Sequence, residues 1–99
     1  MLNVKKAIEE HKGTICLEGR LDTVSAPEME KELKGYLDDV DELTLDFEKL
    51  EYLSSAGLRV LLSLQKTMAE KDGMKLINVN DEIKGIFEIT GFSEILKIE

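Results

Sequence analysis

Ninety-nine residues, 42% hydrophobic and 34% charged, are enough to bury one sizeable core without a metal or a disulfide, so residues 1–99 read as a single domain. No stretch approaches the roughly 20 apolar residues that cross a bilayer, and MLNVKKAIEEHKG at the start holds no secretory apolar run; a cytoplasmic protein with no membrane span is expected. A formal net charge of -8, with the basic residues interleaved among acids, argues against nucleic acid and for a basic face on a protein partner.

Leu2 to Glu9 is a weak strand, with Val4 near an edge and Lys5 and Lys6 discouraging further pairing. After a turn near His11 to Gly13, Thr14 to Glu18 alternates, Ile15 and Leu17 on one side, Thr14, Cys16 and Glu18 on the other; Gly13 begins this strand and Gly19 ends it. Cys16, the single cysteine, reads as a buried small hydrophobe. Ser25-Ala26-Pro27-Glu28 predicts a helix start: serine as cap, proline in the first turn, glutamate completing a capping box. Met29, Leu33, Tyr36 and Leu37 follow at helical spacing until Asp38, Asp39 and Asp41 break the pattern.

The next strand carries Leu43, Leu45 and Phe47 on one face and Thr44 and Asp46 on the other. From Ser55 to Asp72 the period is helical, with Leu58, Val60, Leu61, Leu62, Leu64, Met68 and Ala69 on one broad arc, Arg59, Ser63, Lys66, Thr67 and Glu70 outside it, and Gly73 as a stop. Lys75 to Val79 is a strand. Asn80 caps a short helix marked by Ile83, Ile86 and Phe87 and closed by Gly91, and Ile95, Leu96 and Ile98 form a strand or extended tail. Strands joined through helices should run parallel and the first two antiparallel, which predicts an α/β fold: a mixed sheet of about four to five strands with helices mainly on one face.

Catalytic constellations are missing. His11, the only histidine, lies in a polar turn, no cysteine pair can hold zinc, and the acidic clusters lack the spacing of a calcium loop. A nucleotide-binding or small-enzyme reading lacks a glycine-rich loop and a base near a nucleophile, so no enzyme, cofactor or metal is expected.

Attention therefore falls on Ser54-Ser55-Ala56-Gly57, where a strand gives way to a helix. A serine there can cap the helix, contributing about 1 kcal/mol over alanine. Phosphorylated, it would carry roughly -1.5 to -2 charge, with the amides of Ala56, Gly57 and Leu58 available to hold it. Gly57 fits two readings equally, close packing of helix on strand or an open helix start that another protein can approach.

At these residues the chain resembles the STAS domain family, in particular bacterial anti-sigma-factor antagonists. GRLDTVSAPEMEKEL (19–33) resembles the family's strand-to-first-helix turn, LTLDFEKLEYLSSAGLRVLL (43–62) its central strand and phosphoserine turn, and IFEITGFSEILKI (86–98) its closing helix and tail. The resemblance implies a non-catalytic partner switch. The unmodified antagonist binds an anti-sigma factor that is also a serine kinase, phosphorylation ends the binding, and a protein phosphatase restores it. It carries the acceptor role to Ser55, with Ser54 the second choice, and partner contact to Asp22, Thr23, Ser54, Ser55, Ala56, Gly57 and Arg59. The family's best-known version has aspartate before the acceptor and serine or threonine after it, where this chain has Ser54 and Ala56. A STAS adaptor that binds without phosphorylation, in a transporter or signalling assembly, is the alternative.

Overall fold

The computed structural model describes residues 2–99. Five strands, β1 (Leu2–Glu9), β2 (Lys12–Leu21), β3 (Glu42–Leu53), β4 (Met74–Ile77) and β5 (Lys97–Ile98), form one sheet in the order β1-β2-β3-β4-β5. Between them lie helices α1 (Ser25–Tyr36), α2 (Ser55–Ala69) and α3 (Asp81–Thr90). β1 and β2 pair antiparallel through a two-residue turn whose Glu10 and His11 both take positive φ, and every other pairing is parallel. Each crossover through a helix moves one strand in the same direction. Crossovers of one hand then place all three helices on the same face.

β2 is longer than its alternation suggests. Gly19, at φ 106, does not end it; the strand continues through register shifts between Cys16 and Glu18 and between Gly19 and Arg20 and still pairs Leu21 with Leu53. The extra residues belong to β3. While β2 advances from Cys16 to Glu18, β3 advances from Asp46 to Lys49, and its buried positions change spacing from Leu43, Leu45 and Phe47 to Leu50 and Leu53. Asp46 accommodates the irregularity by accepting the Glu48 amide at 3.0 Å. Strands of unequal residue count thus end together, and the turns leading into α1 and α2 sit side by side.

The helix-covered face holds the core. Ile15, Leu17, Leu21, Leu43, Leu45, Phe47 and Leu76 from the sheet pack with Met29 and Leu33, with Leu61, Leu64 and Met68, and with Ile83 and Phe87. The Phe47 and Phe87 rings are tilted at 48° with centroids 6.4 Å apart, an aromatic pair that docks α3 onto β3. The other face of the sheet is open. Cys16 lies there, half-buried and register-paired with Lys5 and Asp46, because strand alternation points it away from the helices; it is not the fully buried residue expected.

α2 ends at Ala69 rather than Asp72, with the Gly73 amide returning to the Met68 carbonyl at 3.0 Å. Its buried arc is narrower than the pattern suggested: Leu62 is half-buried and Ala69 exposed. α3 begins and ends as expected, its Ile83 amide donated to Asn80 Oδ1 at 2.8 Å and Gly91 left-handed at φ 82. No helix among the described residues is long and apolar enough to cross a membrane.

Candidate functional site at two helix starts

α1 and α2 begin next to each other at the C-terminal ends of β2 and β3. The Ser54 amide donates to the Leu21 carbonyl at 2.9 Å, tying the approach to α2 to the end of β2. One residue past Leu21 stands Asp22.

The start of α1 is closed by a carboxylate. Asp22 Oδ1 accepts the amides of Ser25 at 2.9 Å and Val24 at 3.1 Å, so aspartate, not Ser25, satisfies the orphan donors. These amides, that of Ser25 foremost, hold the Asp22 carboxyl below its usual value, against a smaller upward push from desolvation. Ser25, expected as the cap, is the only buried polar residue among those described; its hydroxyl accepts the Asp22 amide at 2.9 Å and donates to the Arg20 carbonyl at 2.8 Å. The capping box with Glu28 does not form, because Ser25 already lies inside the first turn. The neighbouring Thr23 and Val24 are exposed.

The start of α2 is closed differently. Ser54, extended at φ -93 and ψ 173, is the cap: its Oγ accepts the Gly57 amide at 3.2 Å and its carbonyl accepts the Leu58 amide at 3.0 Å. Two of the three amides expected to remain free are therefore taken. Those of Ser55 and Ala56 keep no partner among the described residues, and the Ser55 side chain is exposed with no hydrogen bond to any of them. The cap and the free hydroxyl are two different serines.

Gly57 is buried. A Cβ there would come within 2.7 Å of Leu53 Cδ1, 2.9 Å of Leu21 Cγ and 3.0 Å of the Leu21 carbonyl, so close packing of α2 on the ends of β2 and β3 requires a glycine. Its role is inside the molecule. Ala56, half-buried, remains at the surface, and Arg59 is exposed one turn along, lining with Ala26, Pro27, Glu30, Ala56 and Val60 a shallow groove between α1 and α2.

At the same end of the sheet, on its open face, the Arg20 guanidinium lies 4.2 Å above the centre of the Tyr52 ring. Tyr52 and Val24 are exposed large side chains, and neither they nor Arg20 were expected at the site. Arg and Tyr are common anchors of protein interfaces. Their neighbourhood depends on the shifted β2–β3 register, which no local pattern reveals.

A protein-family model described as the STAS domain matches residues 5–99. The chain is 34% identical over 85 residues to BtrV of Bordetella bronchiseptica, a protein named as an anti-sigma factor antagonist, a match covering 84% of this chain and 73% of that one. Its structure is similar to the crystal structure of an anti-sigma factor antagonist from Mycobacterium paratuberculosis, with TM-score 0.88 and 18% identity over 99% of this chain and 85% of that one. It is also similar to the phosphorylated form of the Bacillus cell fate determinant SpoIIAA, with TM-score 0.74 and 17% identity over 100% of this chain and 91% of that one.

Proposed function

The chain belongs to the STAS domain family, and from that premise we propose that it is an anti-sigma-factor antagonist switched by phosphorylation at Ser55. The exposed, unbonded Ser55 hydroxyl beside an occupied cap carries this reading. In the unmodified state an uncharged patch of Thr23, Val24, Ser55 and Ala56, flanked by the Arg59 cation, docks on an anti-sigma factor with serine-kinase activity. That partner transfers the γ-phosphoryl group of ATP to Ser55 Oγ, releasing ADP and the hydroxyl proton; a protein phosphatase hydrolyses the ester to serine and inorganic phosphate. The antagonist supplies no catalytic group of its own.

Physical reasons favour Ser55 over Ser54. Phosphorylation of Ser54 would turn the Oγ that accepts the Gly57 amide into an ester oxygen, a poorer acceptor, whereas phosphate on Ser55 leaves that bond intact and lies near the free amides of Ser55 and Ala56 and the positive end of the helix. α2 also buries Leu58, Val60, Leu61, Leu64 and Met68, at roughly 1.5–3 kcal/mol for each fully buried side chain. That anchoring far exceeds a surface charge effect, so the core stays fixed while the surface changes. An interface fitted to a neutral hydroxyl would then meet a dianion.

The test is the affinity of the cognate anti-sigma factor for the unmodified and the phosphoserine-55 chain, measured by calorimetry. A loss of about 2 to 3 kcal/mol corresponds to binding roughly 30- to 150-fold weaker. Equal affinities would instead make the chain a phosphorylation-independent adaptor.

A further inference from the structure

Arg59 lies four residues after Ser55 on the same helix, so the two side chains occupy neighbouring positions on one face, with Cβ atoms about 5–6 Å apart. Long helical side chains lean back toward the N-terminus, which gives the Arg59 guanidinium reach to the turn holding Ser55 and Ala56. The residue is exposed and makes no ion pair or hydrogen bond with any described residue. Glu30 shares its groove, but no ion pair joins the two. In a chain of net charge -8, a cation left uncommitted beside the free hydroxyl invites an anionic partner.

We propose that Arg59 is an intramolecular clamp for the Ser55 phosphate, an inference that rests on the phosphoserine reading above. The guanidinium fork matches two phosphate oxygens, and the Ser55 and Ala56 amides approach the same group from the helix end. Modification then changes the surface twice. It adds a dianion at Ser55, and it draws the Arg59 cation away from the partner and onto the phosphate. Arg59 acts here by positioning charge, not by taking part in phosphoryl transfer.

The experiment places phosphoserine at position 55 during translation and follows its second ionisation by phosphorus NMR against pH. Ordinarily this ionisation falls near pH 6. With Arg59 present it should lie lower than in R59Q by roughly half a unit or more, since a nearby cation favours the dianion. R59K should fall between the two, keeping the charge without the fork, and raising the salt should shrink the difference. Superimposable titrations of the wild-type chain and R59Q, with amide spectra showing both folded, overturn the clamp. Because no kinase is involved, that outcome is separate from failure of the switch, which would appear as absence of phosphate on Ser55 after incubation with the kinase.

Discussion

At the start of α1 the orphan amides go to a carboxylate, Asp22, which brings a fixed negative charge, and the serine of that turn, Ser25, is buried and bonded on both sides. At the start of α2 the equivalent donor goes to a neutral hydroxyl, Ser54, and the next residue presents a second hydroxyl that bonds to nothing described. The two starts sit side by side at the ends of β2 and β3. One end of the sheet thus holds a permanently charged helix start and an uncharged one, and only the uncharged one presents an exposed serine. Ser54 makes the capping bond at α2 without bringing a charge.

The largest effect that would break this arrangement is steric. Gly57→Val should destabilise the chain by roughly 3 kcal/mol in a denaturant melt, because its side chain must displace Leu53, Leu21 and a backbone carbonyl together. A neutral result would mean that α2 is free to shift away from β2, undoing the shared edge.

Next comes the charged cap. Asp22→Ala should lower stability less than Gly57→Val but more than Ser54→Ala, since Asp22 Oδ1 receives two amides and Ser54 Oγ one. The effect should depend on pH with a definite sign. The folded-state pKa is lowered, so the part of the wild-type advantage due to the charge is full above the ordinary value of 3.8 and is lost as the pH falls through the folded value. Melts of wild type and Asp22→Ala at pH 7 and at about pH 2 would check this; a gap that widens in acid would contradict it.

The smallest effects are the most discriminating. Ser54→Ala should cost about 1 kcal/mol, a fall in Tm of about 4–8 °C for a domain of this size. Ser55→Ala should stay within about 0.5 kcal/mol of wild type, as expected for an exposed side chain with no partner. Reversed values in thermal melts would exchange the roles of the two serines.

Much of the fold was legible because its signals are local: the alternation of Ile15 and Leu17, the one-sided arc of α2, Asn80 and Gly91 around α3. The ends of β2 and β3 were harder to read, since two register shifts replace the period of two with the wider spacing of Phe47, Leu50 and Leu53. The Ser25 cap was misread for a related reason. Ser-x-Pro-Glu looks like a helix start from sequence alone, but an aspartate three residues earlier competes for the same donors, and only the folded turn shows which oxygen reaches them. Likewise, the double serine gave the place without the division of labour between its members, which depends on backbone geometry: Ser54 is extended, so its hydroxyl turns onto the Gly57 amide, while Ser55 is already helical and faces outward.

That division of labour between Ser54 and Ser55 is open to one direct measurement. After incubation with the cognate anti-sigma factor and ATP, mass spectrometry of the proteolysed chain should place a single phosphate on Ser55, equally in the wild-type chain and in Ser54→Ala. Phosphate on Ser54, or on neither serine, would contradict it.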